Sequence, residues 1–317
     1  MPTANPPLPI AEAITAYGPF SYFSTDTGTC SQSLVQYGEW AGNEISFCGL
    51  FLSPGDFVLD GGGFIGTHAV AFSRMVGPRG LVVSVEAQPD SHILLSQNTN
   101  LLGASEVQAL HCALVEEAGQ QISIKRLDVR KAGSLGFCQM ESGGDVLVPT
   151  TSIREIVRVA GRIPSLIKLD LEGMEATVLR GASGVLASCH PTIYAETNTL
   201  EIGVQVLWML RAAGYQTWLH LPFAYNPQNF RRNPSNIFGS AREAALVGVH
   251  GTAADLLAGG VATENPNWGL FPVETADDLA AGLLMKPQYA FEVLETTTAG
   301  RLGKAGRPWR GWSGGPR

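Results

Sequence analysis

The stretch PGDFVLDGGGFIGTHAVAFSRMVG, Pro54 to Gly77, decides the fold. Val58 and Leu59 read as a buried strand that Asp60 ends. Gly61, Gly62, Gly63 and Gly66 then form a turn before the helix-spaced Ala69, Val70, Phe72 and Met75. Missing side chains let a ligand approach the backbone, and free N–H groups at a helix start favour a polar or anionic group. VVSVEAQPD follows, with Val82 to Val85 as the next parallel strand and Glu86 at its carboxyl end. Open α/β sheets bind ligands at such ends, so Asp60 and Glu86 are expected in one crevice.

The same alternation continues outward. A helix is expected from Ser91 to Leu102, a third strand from Val107 to Cys112, and a short strand around Ile122 and Ile124, with LDVRKAG as an edge hairpin. Ser152, or Thr151, caps a helix through Val159, with Glu155 placed for a capping box. SLIKLD, Ser165 to Asp170, is the next strand. LEGMEATVLRGASGVL is helical, PTIYAET ends a strand near Glu196, a helix covers Ile202 to Ala213, and Tyr215 to Leu219 form a strand. The reading is an α/β fold with a doubly wound, mostly parallel sheet, helices on both faces and an antiparallel edge strand, for which Asn236 to Phe238 is the candidate.

Four regions follow from this: a lead-in over 1–52 that could lie over the crevice as a lid, the main domain over 53–240, a helical extension over 241–299 and a flexible basic tail over 300–317. In the lead-in, Asp26, Glu39, Trp40 and Glu44 stand out; the alternative is that Trp40 is core and the acids are solvated.

At 317 residues the chain can bury a sizeable core, and 45% apolar against 15% charged residues is ordinary for a globular protein. A net charge of -7 gives no general drive toward nucleic acid. MPTANPPLP lacks the basic segment and apolar run of a secretory signal, and no stretch suits a membrane span, so a cytoplasmic protein without membrane insertion is expected. The five cysteines are scattered, odd in number and without a CxxC pair, which suits buried thiols better than zinc ligands or disulfides.

Two constellations carry chemistry. Gly61, Gly63 and Gly66 satisfy GxGxxG, and Glu86 lies 20 residues after Gly66, where an acid accepts hydrogen bonds from ribose hydroxyls. That pattern serves a dinucleotide nearly as well as another nucleoside cofactor. Asp60 tilts the choice, because a carboxylate beside the turn disfavours a pyrophosphate and suits the cationic groups of S-adenosylmethionine. The second constellation is IKLDLEGMEATVLRGA, in which Asp170 and Glu172 at a strand end could orient an acceptor hydroxyl, take its proton or hold a divalent ion. Glu175, in a first helical turn, and Glu196, at a strand end, extend the acidic rim. Spacing alone does not make these four acids a metal site.

The run of DGGGFIG, VVSVEAQPD, SLIKLDLEGMEATVLRGA and PTIYAE resembles the FkbM family of S-adenosylmethionine-dependent methyltransferases, and YGEWAGNEISFCGLFL resembles that family's entry segment. The resemblance covers about residues 30–240. It implies a class I methyltransferase sheet and methyl transfer mainly to hydroxyls of sugars, polyketides or related metabolites. By motif position it implies that Asp60, Gly61, Gly63 and Gly66 contact the methionyl end, Glu86 the ribose, and Asp170 with Glu172 the acceptor. Glu39, Glu44, Glu175 and Glu196, with Asn229, Asn233 and Asn236 of NPQNFRRNPSNIFG, are then candidates to bind the acceptor. Gly62 stands where the family turn often has Val or Ala, a change expected to keep the turn. The expected partner is a small hydroxylated acceptor, with S-adenosylmethionine as cofactor and a divalent cation left open. Acceptor, metal dependence and oligomeric state are not legible. A nicotinamide-dependent oxidoreductase using the same glycines and Glu86, or a non-catalytic binding protein retaining the fold, remain as alternatives.

Overall fold

The hand-over from buried strand to helix at the glycine turn is repeated through most of the chain. The computed structural model describes residues 7–136, 143–260 and 265–287. It opens with an antiparallel hairpin, β1 (Ile10–Thr15) and β2 (Gly18–Phe23), then helices α1 (Thr29–Tyr37) and α2 (Gly42–Cys48). Next come β3 (Phe57–Gly61), α3 (Thr67–Val76), β4 (Leu81–Glu86), α4 (Pro89–Leu101) and β5 (Val107–His111). A small sheet interrupts, with β6 (Ala113–Leu114), β7 (Gln121–Ile124) and β8 (Val146–Thr151) in the order β6-β8-β7. The alternation resumes with α5 (Ile153–Ala160), β9 (Leu166–Leu169), α6 (Glu175–Gly181), α7 (Ser183–Cys189), β10 (Thr192–Glu196), α8 (Leu200–Ala212) and β11 (Gln216–Pro222). β12 (Ala245–Val249), α9 (Thr252–Ala258), β13 (Trp268–Pro272) and α10 (Ala276–Leu283) complete the described chain.

The main sheet has eight strands in the order β13-β11-β12-β10-β9-β3-β4-β5. β10, β9, β3, β4 and β5 are parallel, whereas β12 runs antiparallel to both β10 and β11, and β13 antiparallel to β11. Order reverses at β3, which leaves a crevice beyond the carboxyl ends of β3 and β9. Successive residues face opposite layers. Leu59, Val83, Ile167 and Ile193 pack with Val178 of α6 and Leu207 of α8 on one face. Val58, Val82, Leu166 and Tyr194 pack with Phe72 of α3 and Phe47 of α2 on the other. Burial on both sides accounts for the near-continuous apolar strands FVL, LVVSV and LIKL.

The lead-in holds a hairpin as well as helices, anchored because Asn98 of α4 accepts the Ser21 N–H at 2.8 Å and donates to the carbonyls of Ser21 and Ile65. Two expectations are corrected. The antiparallel strand is not Asn236–Phe238, which lies in a loop; β12 takes that role inside the sheet and β13 at its edge. The helical extension over 241–299 is likewise a mixture: ALVGV is fully buried between two strands, so its apolar run pairs as a strand. Residues 288–299 and the expected basic tail over 300–317 lie outside the described residues. Ser152 caps α5 as expected by accepting the Glu155 N–H, while the Glu155 carboxylate turns to Arg158 at 2.6 and 2.8 Å.

His220, which the sequence allows near an acceptor pocket, is instead fully buried in the core. It stacks on Phe47 at 3.8 Å between ring centroids and meets the Tyr194 hydroxyl at 3.0 Å. Burial pushes its pKa well below the ordinary histidine value, so the fold keeps it neutral while the unfolded chain takes up a proton as pH falls. Its contribution is therefore present above the unfolded value and lost below it. His220→Phe is expected to flatten the decline in urea stability between about pH 7 and about pH 5; an unchanged slope would assign acid sensitivity elsewhere.

Candidate active site

The crevice at the carboxyl ends of β3, β4, β9 and β10 is an open cavity enclosing ≈ 1300 Å³ with its mouth. Its first wall is the glycine turn. Gly62 and Gly63 both donate their N–H groups to Val85 O at 3.0 Å, and Gly66 donates to Gly63 O at 2.8 Å before opening α3. Gly62, at φ 84°, has no room for a side chain: a Cβ there would sit 1.8 Å from the Asp170 carbonyl oxygen. The turn is kept with glycine here, as expected, and this is the tightest backbone approach in it. Phe64 follows at φ 45° and donates its N–H to Glu86 Oε2 at 2.8 Å, while Gln88 N–H donates to Oε1 at 2.7 Å. Burial raises the Glu86 pKa to about 7 against the lowering effect of those two amides. Gly62, Gly63, Phe64 and Glu86 line the cavity.

Asp60 does not. It is fully buried behind the turn, accepting the Ser84 hydroxyl at 2.7 Å and facing Lys168 Nζ at 3.9 Å. Gly61 and Gly66 also act from behind, as close-packed strand residue and left-handed helix cap. These three, expected beside a methionyl group, thus lie behind the cavity lining, with the Lys168 ammonium on the inner side of Asp60.

The second wall is acidic. Asp170, Glu172 and Glu196 each bring a carboxylate oxygen within 4.8 Å of the others. Lys168, only 1% exposed, reaches Asp170 Oδ2 at 3.1 Å. Burial alone would raise the Asp170 pKa, but the Lys168 ammonium overrides it and holds the group at about 2. Glu196 is pushed well above the carboxylate range by burial and then by the Asp170 charge. Glu172 rises to about 7 through burial and then the neighbouring Asp170. Its backbone sits at φ 51°, a left-handed conformation uncommon for glutamate that points to a functional loop. The oxygen donors suit a hard cation in type. Lys168 supplies positive charge at Asp170, 3.1 Å from Oδ2.

The third wall comes from the lead-in and the far end of the chain. Glu44 of α2 reaches His68 of α3, with Oε1 3.0 Å from Nε2, and both line the cavity. Glu243 lines it from the approach to β12 and is held from behind by Lys286, fully buried, at 3.3 Å. No arginine is among the lining residues described.

The remaining candidates brace loops instead of facing the cavity. Glu175 accepts the N–H groups of Leu171 and Gly173, which fixes the loop carrying Glu172. Glu39 accepts from Asn226 Nδ2 at 2.7 Å and Phe230 N–H at 2.9 Å. Asn229 and Asn233 bond one another, and Asn236 bonds Gly239 O and Phe238 N–H. These five, expected at the acceptor, thus lie outside the cavity lining, with their polar atoms bonded mostly to loop backbone that has no ladder partner. The sequence reading missed Lys168, His68 with Glu44 as a pair, and Glu243. For Lys168 a signal existed, since a lone lysine in LIKL, a strand buried on both faces, demands carboxylate partners.

The doubly wound sheet thus carries a cavity lined by a glycine turn, with Glu86 at one edge and carboxylates facing it. Residues 60–217 match the family model described as methyltransferase FkbM domain, about half of the chain, and the chain belongs to that family. A curated relative, protein-L-isoaspartate O-methyltransferase of Thermotoga maritima, is 30% identical over 159 residues, covering 45% of this chain and 47% of that protein. The chain thus spans about half the length of the curated relative it matches. Among solved structures, it is similar to methyltransferase FkbM from Methylobacillus flagellatus KT, with 15% identity and a TM-score of 0.38 over 61% of this chain and 43% of that one. It is also similar to precorrin-6y C5,15-methyltransferase from Geobacter metallireducens GS-15, with 12% identity and a TM-score of 0.42 over 66% and 86%. Among the described residues, no helix is long and apolar enough to cross a membrane.

Proposed function

We propose that this protein is an S-adenosylmethionine-dependent methyltransferase that methylates a hydroxyl of a small, uncharged acceptor. The observation that carries the reading is Glu86, fixed at the cavity edge by the Phe64 and Gln88 amides and facing the acidic wall across the glycine turn. When bound, S-adenosylmethionine supplies a methyl group on a good leaving sulfonium, so much of the remaining task is alignment. Glu86 accepts hydrogen bonds from the ribose hydroxyls, and Gly62 and Gly63 leave the backbone open to the cofactor. Asp170, ionised beside Lys168, accepts the hydrogen bond of the acceptor hydroxyl, and Glu196 braces Asp170 from the neighbouring strand end. Glu172 presents a second carboxylate to the same hydroxyl. An acidic lining without arginine disfavours phosphorylated or carboxylate acceptors.

Calorimetry tests the reading. S-adenosylmethionine is expected to bind and NAD not to bind. Because ribose recognition needs Glu86 ionised and its pKa stands near 7, affinity should fall about tenfold from pH 8 to pH 6. Glu86→Gln should bind more weakly at both values and lose that pH dependence. Binding of NAD in place of S-adenosylmethionine would overturn the assignment.

A further inference from the structure

The acidic wall explains how an acceptor hydroxyl is gripped, but its strongest base candidate by position, Asp170, is held by Lys168 and is a weak proton acceptor. We infer that His68 is the group that takes the acceptor proton, with Glu44 as its positioning residue. This rests on the methyltransferase reading and assigns the proton's destination within it.

The geometry is that of an oriented base. His68 is the second residue of α3, immediately beyond the turn that faces the cofactor, and it lines the same cavity as Asp170 and Glu172. Its side chain is 9% exposed and that of Glu44 12%, so the contact is largely screened from water. Glu44 approaches Nε2 at 3.0 Å from a separate helix whose entry is turned by Ala41 in a left-handed conformation. The approach is short but oblique to the ring N–H, the condition of many catalytic pairs before substrate closes the site. With the Nε2–H aimed toward the Glu44 carboxylate, which accepts it once the pair aligns, Nδ1 is left as the acceptor nitrogen, and among the described residues no donor is bonded to it. Phe72 packs against the other side of the ring at 5.9 Å between centroids. Glu44 and Asp170 are the carboxylates whose charges His68 meets, and either would balance an imidazolium.

The step balances without a further reactant. The hydroxyl proton passes to Nδ1 and its O–H electron pair stays on oxygen, becoming the new O–CH3 bond as the C–S bond breaks onto sulfur. The product is a neutral thioether, and the imidazolium beside Glu44 later gives its proton to solvent. A histidine and a carboxylate thereby divide the work, with Asp170 orienting the oxygen and His68 accepting the proton.

The test uses full-length protein labelled with 15N-histidine and saturated with S-adenosylhomocysteine. Long-range proton–nitrogen correlation spectra should show His68 neutral with the proton on Nε2, and Glu44→Gln should abolish that preference. A proton on Nδ1, or a tautomer indifferent to Glu44→Gln, would overturn the inference with no acceptor in hand. Methyl glucoside, glycerol and catechol then serve as acceptor probes for methyl transfer. His68→Gln should lower kcat about 100-fold with KM and cofactor affinity nearly unchanged. Added imidazole should restore part of the rate to His68→Ala. A His68→Gln protein within a few-fold of the parent rate, or a loss that imidazole leaves untouched, would also overturn it. Failure of the parent protein to bind S-adenosylmethionine would instead strike the methyltransferase reading.

Discussion

A Lys168→Met protein is expected to lose about 3–5 kcal/mol of folding stability at neutral pH, because removing one partner of a buried ion group leaves the others uncompensated. Lys168 is 1% exposed and stands 3.1 Å from Asp170 and 3.9 Å from Asp60, the latter fully buried. The pH dependence has a definite sign. Asp170 is held near 2 in the fold against an ordinary 3.8, so pairing with Lys168 stabilises the protein above the ordinary value and is lost as pH falls through the native one. The gap between parent and variant should therefore be widest at neutral pH and narrow as pH falls from about 4 toward about 2. Urea titrations read by intrinsic fluorescence measure it. Adding Asp60→Asn to Lys168→Met should recover part of the loss, since it removes the most deeply buried charge. A loss below about 1 kcal/mol would mean that the acids do not depend on this lysine.

Gly62→Ala should be as damaging and should act on function as well. The substitution forces a Cβ into a left-handed conformation, worth about 1–2 kcal/mol, and against backbone that cannot rotate away. That Cβ would lie 1.8 Å from Asp170 O and 2.9 Å from its carbonyl carbon, so the glycine turn and the Asp170 loop must part. We expect a total loss of about 3 kcal/mol or more and S-adenosylmethionine binding too weak for calorimetry. Gly61→Ala is the informative comparison. Its Cβ meets side-chain carbons of Leu114 and Leu169 at 2.8 and 3.0 Å, and side chains can repack. Equal melting temperatures and affinities for the two variants would show that the Asp170 carbonyl does not set the position of the turn.

The parallel part of the fold was readable because each of its signals spans a whole element. Strand, turn and helix recur from Phe57 to Pro222, and the buried strands are largely apolar. The ends of the chain were harder. ALVGV is a short apolar run of a kind that suits a buried helix as well as a strand, and only pairing with β10 and β11 decides it. The β1–β2 hairpin hides in a proline-rich start whose short strands carry no strong turn signal beyond Gly18.

The site divides in the same way. Glu86, Asp170, Glu172 and Glu196 were legible because strand ends in such a sheet point at the crevice. Asp60 ends a strand too, but motif position does not say toward which side the carboxylate turns, and a buried lysine 108 residues later decides that. Glu39 and its partners Asn226 and Phe230 are 187 and 191 residues apart, so their mutual satisfaction leaves no local trace.

The Lys286–Glu243 contact has a consequence for the charge of the pocket. Glu243 contributes charge to the cavity wall, and the cation behind it is delivered from beyond α10, with Asn198 Oδ1 3.4 Å from the same ammonium. Both residues lie outside the stretch 60–217 that marks the family. An exchange at position 286 would change the field at this cavity wall while every residue of the family-defining stretch stayed intact. The electrostatics of the pocket are thus wired to a part of the chain that its signature motifs do not contain.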